Sequence, residues 1–527
     1  AKGMDSIVTG NMGIGANTSI GIVSEGDGNV TYTGAMTIDN KVSAASVGIY
    51  KILGNGIITT SSGNWNIGDS GYGIYLQQAI ITRNAAGDIV SSTMTSNSAA
   101  VINNADMTLG TSSVGIYSNG ANTVTNTGNI IVGATDLGPS LNHNKADEHL
   151  NSIGMYLLGG TTATSSGTIT VNHDHSVGVY GEGTGTRFTN TGTINIDNGA
   201  VGILVRDGAV AVNAAGANIN LGGTLATCGA TTVGMAAYSG ARIENAGTIT
   251  VNEGVGMLIG VGSTFTNTGT IFVNNGIGIE GPGGVVNTGN IVVGETDVKG
   301  DHDKIENHLN SIGIYATAGT TVNNSGNITV NYDHSVGIYG DGSGTKIQNT
   351  GTINVDRGGV GILVRDGAVA VNAAGGNIIL GSTSAPDPCT ATTVGMAAYS
   401  GARIENAGII TVNEGVGMLI GVGAAFDNSG TIYLKNGIGI EGPGALNNYG
   451  HIVVLPGGNG TPGANVGVSN AEIGSVKIES DGTITINDKY VSIGGTLSTA
   501  GNIVVNGAYV DVTTGTPLFN ANSVSGE

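Results

Sequence analysis

The sequence predicts an all-β solenoid, a parallel β-helix, and three observations carry that expectation. First, a short element, Asn-x-Gly-x-Ile-x-Val, recurs along the chain, as NTGNIIV at Asn126, NTGTINI at Asn190, NAGTITV at Asn245, NSGNITV at Asn324 and NAGIITV at Asn406. Its glycines recur at short intervals: Gly167, Gly192 and Gly216 lie 25 and 24 residues apart, and Gly247, Gly269 and Gly289 lie 22 and 20 apart. A period of this length marks one coil of a solenoid. Second, apolar residues alternate within Thr-Ile-Thr-Val and Ser-Val-Gly-Ile-Tyr, so one face of each strand points inward. Third, no window of useful length has the i, i+3, i+4 spacing of a helix.

The elements follow in chain order. Residues 1–112 read as variant coils that carry the Val-Gly-Ile-Tyr motif at Tyr50 and a shortened form at Tyr75. Residues 113–275 form a first long repeat and 276–436 a second. GILVRDGAVAVNAAG begins at Gly202 and again at Gly361, an offset of 159, and TTVGMAAYSGARIENAG begins at Thr231 and Thr392, an offset of 161. The two added residues fall in the loop that holds the cysteine. A partial third copy opens at Asn436, and 437–527 continues as looser coils. At ~23 residues per coil the chain accommodates roughly 20–22 coils with inserted loops.

Composition narrows the function. Of 527 residues 95 are glycine, against ~7% in ordinary domains, yet there is no Gly-X-Y period and hence no collagen helix. Only 10% are charged, and the net charge is −20. That balance argues against nucleic acid, whose phosphates need a basic face. No apolar run reaches the length of a membrane-spanning helix. Cys228 and Cys389 stand one long repeat apart, too far for a disulfide within the chain. The chain opens on Ala1-Lys2-Gly3, without a signal peptide or initiator methionine, and reads as a mature or excised segment.

The recurrent asparagine serves the fold: it tolerates the left-handed conformation and can hydrogen-bond along a stack of its own kind. The glycines are turn and close-approach residues and not phosphate cradles, because no helix follows them. The tyrosines of Val-Gly-Ile-Tyr end their strands and are expected to pack over the turn, with stacking on sugars as the alternative. Gly68-Asp69-Ser70-Gly71 spells the surroundings of a trypsin-like nucleophile, but the first histidine, His143, comes after it, whereas that triad runs His, Asp, Ser. It reads as a turn. Val-Arg-Asp-Gly, at Arg206-Asp207 and Arg365-Asp366, is the nearest approach to a polysaccharide-cleaving carboxylate cluster and reads as an ion pair or a turn closing a strand. No catalytic residue, metal site or cofactor is assigned.

Histidine placement is the most suggestive signal. Seven of the eight histidines lie in two duplicated regions. The first insertion, 134–151, contains Asp136, His143, Lys145, Asp147, Glu148 and His149; the second, 295–310, contains Asp297, His302, Asp303, Lys304, Glu306 and His308. One coil later come Asp174-His175 and Asp333-His334. Counted back from Tyr156 and Tyr180, His149 and His175 fall on one edge of adjacent coils, which Asp197 and Glu253 continue, with Asp356 and Glu414 in the second copy. These residues are the candidate ligand contacts, with a weak divalent-cation site built from imidazole and carboxylate as a second functional reading. The competing reading is a solvated acidic edge that discourages lateral pairing.

NTGTITV followed by EGVGMLIG, and NSGNITV followed by HSVGIYG, resemble the passenger repeats of the large RadD-like fusobacterial autotransporter adhesins of the type Va secretion class. The resemblance spans Asn29 to about Val454 and weakens beyond. It implies a right-handed β-helix exported to the bacterial surface through an outer-membrane barrel. It also implies attachment to host cells or other bacteria through a glycan or protein receptor, without enzymatic activity. Neither a signal peptide nor a translocator barrel is visible in this chain. A purely structural stalk and, more remotely, a polysaccharide-processing β-helix enzyme are the alternatives.

Overall fold

One coil shows how the sequence builds the fold. Val177–Glu182 is a six-residue strand, Arg187–Asn190 a second of four and Thr193–Ile196 a third of four. Each pairs in parallel with the equivalent strand of the next coil: Val177 with Val201, Arg187 with Val210 and Thr193 with Asn218. In the second and third strands the alternation expected from the sequence is obeyed. Phe188, Ile194 and Ile196 point into the interior and are fully or almost fully buried, while the residues between them face out. Burying each such side chain contributes about 1.5–3 kcal/mol, so a coil gains its stability from a handful of aliphatic residues. The backbone groups are satisfied by the neighbouring coil: Asp197 N–H donates to Val171 O at 2.9 Å, and Val201 N–H to Ser176 O at 2.9 Å.

A computed structural model describes residues 3–15, 18–39, 45–83, 89–134, 152–222, 231–294, 311–317, 319–381, 392–448 and 450–454, and nine short strands between 471 and 526. The chain forms two compact units, Ala1–Phe265 and Thr266–Glu527. In the first, nine long strands from Ile20–Glu25 to Val255–Ile259 stack in parallel; in the second, seven do so from Gly276–Gly281 to Ile438–Glu441. Each unit is a right-handed parallel β-helix with three sheets, and the described residues contain no helix.

The asparagine ladder is present, but by one of the two means expected. In the second unit, Asn267 Nδ2 donates to Asn287 Oδ1 at 2.7 Å, Asn287 to Asn324 at 2.6 Å, Asn324 to Asn349 at 2.7 Å, Asn349 to Asn372 at 2.8 Å, Asn372 to Asn406 at 2.8 Å and Asn406 to Asn428 at 2.8 Å. All seven are buried. The first unit has the same ladder, with Ser165 substituting in one rung: Asn126 Nδ2 donates to Ser165 Oγ at 3.0 Å. None of these asparagines has a positive φ. Their amides, and not a left-handed backbone, are what the fold uses.

Two further departures have local causes. Strict alternation puts Val177 and Tyr180 on opposite faces of the long strand, yet both belong to one apolar cluster. The paired positions skip the glycine between them: Ile153 faces Val177, Met155 faces Val179, Tyr156 faces Tyr180. That glycine is required by contact. A Cβ on Gly178 would lie 2.5 Å from Gly202 O, and on Gly202 2.6 Å from Gly234 O, so a column of glycines lets successive long strands approach. The second departure is an antiparallel hairpin, Ala79–Arg83 with Ile89–Met94, where the sequence suggests only variant coils. Gln78 and Thr95 clamp its base: Thr95 donates from both N–H and Oγ1 to Gln78 O, and the buried Gln78 side chain donates to Gly54 O at 2.7 Å. Near the C-terminus, Ala471–Ile473, Val476–Ile478 and Ile484–Ile486 also pair antiparallel before parallel pairing resumes with Asn502–Val505 and Ser523–Gly526.

Candidate functional site

The third strand of each coil ends at an edge where the chain turns into the next long strand. After Thr168–Val171 the chain runs Asn172-His173-Asp174-His175-Ser176. Ser176 N–H donates to His173 O at 3.1 Å, closing a β-turn with His175 at its third position and a φ of 59°. Histidine is among the few side chains enriched in that left-handed region, where glycine or asparagine is usual. His175 Nδ1 lies 2.6 Å from the Asp174 carboxylate, with the histidine side chain 4% exposed and the aspartate 20%. The second copy repeats the arrangement: His334 has a φ of 57°, and its Nδ1 lies 3.2 Å from Asp333, both side chains 8% exposed. These four residues are therefore brought together in pairs and packed into the turn.

The same edge continues into the following coils. Asp197 and Asn198 are the first two residues of a turn closed by Ala200 N–H donating to Asp197 O, and Gly199 N–H reaches on to Thr232 Oγ1 at 3.0 Å. In the second unit Gly358 N–H donates to Thr393 Oγ1 at 2.9 Å, and the Arg357 guanidinium sits 5.4 Å from the centre of the Tyr332 ring. A Cβ added to Gly222 would strike Asp197, and one added to Gly381 would strike Glu414, so both acids lie on the expected edge.

Asp136, His143, Lys145, Asp147, Glu148 and His149, and Asp297, His302, Asp303, Lys304, Glu306 and His308, lie outside the described residues, as do Cys228 and Cys389. Their flanks are described. The first insertion departs after Ala134 and returns at Ser152, whose hydroxyl donates to Ala134 O at 2.5 Å. The segment holding Cys228 departs after Leu221 and returns before Val233, again between a third strand and a long strand. The segments at 295–310 and 382–391 do the same in the second unit. Sequence reasoning placed the histidine segments on this edge; the cysteine segments share it, a relation readable from the Val-Gly-Met strand that follows each.

The opposite end of the long strand carries the tyrosines. Tyr50, Tyr75, Tyr117, Tyr156 and Tyr180 form a continuous ladder, with ring centroids 5.2, 4.3, 5.4 and 4.8 Å apart. The rings use their faces and edges on one another, so the ladder is packing and offers little open ring face for a sugar. Tyr180 hydroxyl donates to Glu182 at 2.5 Å. Burial, followed by the Glu182 charge, pushes the Tyr156 phenol up to about 12; burial likewise raises Tyr75, Tyr117 and Tyr180. A phenol held neutral in the fold stabilises it below its unfolded value near 10, and that stabilisation is lost as pH climbs to about 12. Tyrosinate absorbance during alkaline titration should accordingly show a late group of phenols ionising together with loss of β-sheet signal; early, simple titration of all sixteen tyrosines would contradict this.

The two Val-Arg-Asp-Gly sites are turns whose charges meet each other. Arg206 Nε lies 3.0 Å from Asp207, and Arg365 bonds Asp341 at 3.1 Å while its guanidinium covers the Tyr339 ring at 5.2 Å. Gly68-Asp69-Ser70-Gly71 is also a turn: Gly71 N–H donates to Gly68 O, and Ser70 has a φ of 57°. Among the described residues, no group of three or more His, Cys, Asp or Glu side chains could hold a metal ion.

Comparison with known proteins bears on this architecture. Residues 3–216 match the family model of the BigA third pectate lyase-like domain. BigA is an autotransporter-type adhesin, so the chain is similar to a passenger-like β-helix from an adhesin. The match is to the BigA type and not to the fusobacterial adhesins that the repeats resemble. No curated protein matches the chain.

Proposed function

We propose that this chain is a cell-surface adhesin segment of an autotransporter passenger, which attaches a bacterium to host cells or to other bacteria by binding a glycan or protein receptor. The observation that carries the reading is the match to a BigA domain, together with a β-helix in which the segments at 135–151, 223–230, 295–310 and 382–391 all leave between a third strand and a long strand. A solenoid adds coils at nearly constant stability, so it displays inserted segments without disturbing its core. The histidine- and acid-rich insertions at 135–151 and 295–310 are the recognition elements in this reading, and the paired turns at His175 and His334 follow one coil later on the same edge. The role is non-enzymatic: in both Arg-Asp turns the charged groups are engaged with each other and not gathered around a substrate. Kinship with the fusobacterial adhesins, on the repeats quoted above, belongs to the same proposal.

Binding of the chain to a glycan array and to epithelial and bacterial cells tests it. A variant lacking 137–148 and 298–307 should lose most of the bound signal while keeping its β-sheet spectrum. Binding that is unchanged in the variant removes the insertions as recognition elements. A chain that binds nothing in any format is a stalk.

A further inference from the structure

The two places where ladder tyrosines lie face to face have a chemistry that packing alone does not use. Tyr75 and Tyr117 occupy paired positions on adjacent coils. Their rings are 16° from parallel with centroids 4.3 Å apart, closer than any neighbouring pair in the ladder. Near-parallel rings on side chains from paired positions present the ring carbons next to each C–OH to one another across the stack. In the second unit Tyr315 and Tyr339, also paired across adjacent coils, are 6° from parallel at 5.0 Å. The other ladder contacts are edge-on, at 79° to 89°, and hold those carbons at an angle.

We propose that Tyr75–Tyr117, and secondarily Tyr315–Tyr339, are sites of oxidative dityrosine cross-linking that ties one coil covalently to the next. Hydrogen peroxide acting through a haem peroxidase is the oxidant. Each phenol gives up one electron and one proton. The two phenoxyl radicals join through a new bond between their ortho carbons, and the hydrogen on each of those carbons moves to its own ring oxygen, restoring two phenols. The two electrons and two protons reduce the peroxide to two waters. The ladder assists in the first unit: Tyr50 and Tyr156 each touch a member of the closest pair, so an electron vacancy entering at either passes to Tyr75 or Tyr117, where coupling traps it.

The test treats the dilute full chain with a haem peroxidase and hydrogen peroxide, isolates monomer, and maps cross-links by mass spectrometry with dityrosine fluorescence as the bulk signal. The expected result is a Tyr75-containing peptide joined to a Tyr117-containing peptide, lighter by two hydrogens than their sum. Tyr117→Phe keeps the ring and its packing and should abolish this product while leaving Tyr315–Tyr339 in place; Tyr75→Phe should act identically. In urea the preference for these pairs should vanish. Dityrosine found only in dimers overturns the proposal. So does coupling at other tyrosines, a product undiminished in Tyr117→Phe, a preference that survives unfolding, or no dityrosine at all.

Discussion

Replacing Gly337 with alanine should destabilise the second unit by about 3 kcal/mol or more, the upper end of what overpacking costs. The new Cβ would lie 2.6 Å from Gly361 O, with Ile328 and Val330 methyl groups 3.2 Å away on the interior side. The obstacle is backbone, which no rotamer change relieves. Moving it would separate Ser335–Asp341 from Val360–Arg365 and strain the pairings of Val336 with Val360 and Ile338 with Ile362. Gly375→Ala is the contrasting substitution. That turn glycine has nothing within 4 Å of an added Cβ, but its φ is 91°, so it should cost about 1–2 kcal/mol through conformation alone. Urea melts of the two variants separate steric from conformational glycine, and equal midpoints would refute the distinction.

Asn349→Ala should cost about 2–4 kcal/mol, because it interrupts the ladder on both sides. Asn349 accepts from Asn324 Nδ2 at 2.7 Å, and donates to Asn372 Oδ1 at 2.8 Å and to Gly351 O at 3.2 Å. Truncation leaves the buried Asn372 oxygen without that donor and opens a small gap. Asn349→Ser should cost about half as much, since the first unit already accommodates Ser165 at the same rung with one retained hydrogen bond. Thermal unfolding of the three chains checks the order wild type, serine, alanine. Indistinguishable melting would mean that the ladder is decoration and that aliphatic burial alone holds the coils.

The repeats made the solenoid legible because each coil repeats the same local demands. Thr-Ile-Thr-Val at Thr168 and Thr248 gives the same inward and outward faces in both coils, and both are strands. The Asn-x-Gly signature was legible for the same reason, and so was the edge shared by His175 and Asp197. The antiparallel hairpin at Ala79–Arg83 was not, since a short β-branched run between turns reads the same whether it stays in the coil or leaves it. The engagement of His175 with Asp174 inside its turn was equally hidden. A His-Asp-His string looks like an exposed acidic edge until the turn type is known.

What the sequence determined by itself is the coil: its period, its three strands, its inward aliphatic residues and its duplication, all consequences of contacts within some two dozen residues. What only the tertiary structure decided lies between coils. The mid-strand glycines yield to a carbonyl of the next coil, the asparagines act through amides stacked along the units, and the tyrosines spend their ring faces on each other, with Tyr75 and Tyr117 close to parallel. These residues are 20 to 42 positions apart in the chain, and periodicity places them near one another without setting the angle or distance at which they meet. That angle and distance come from the packing of whole strands, which no local pattern contains.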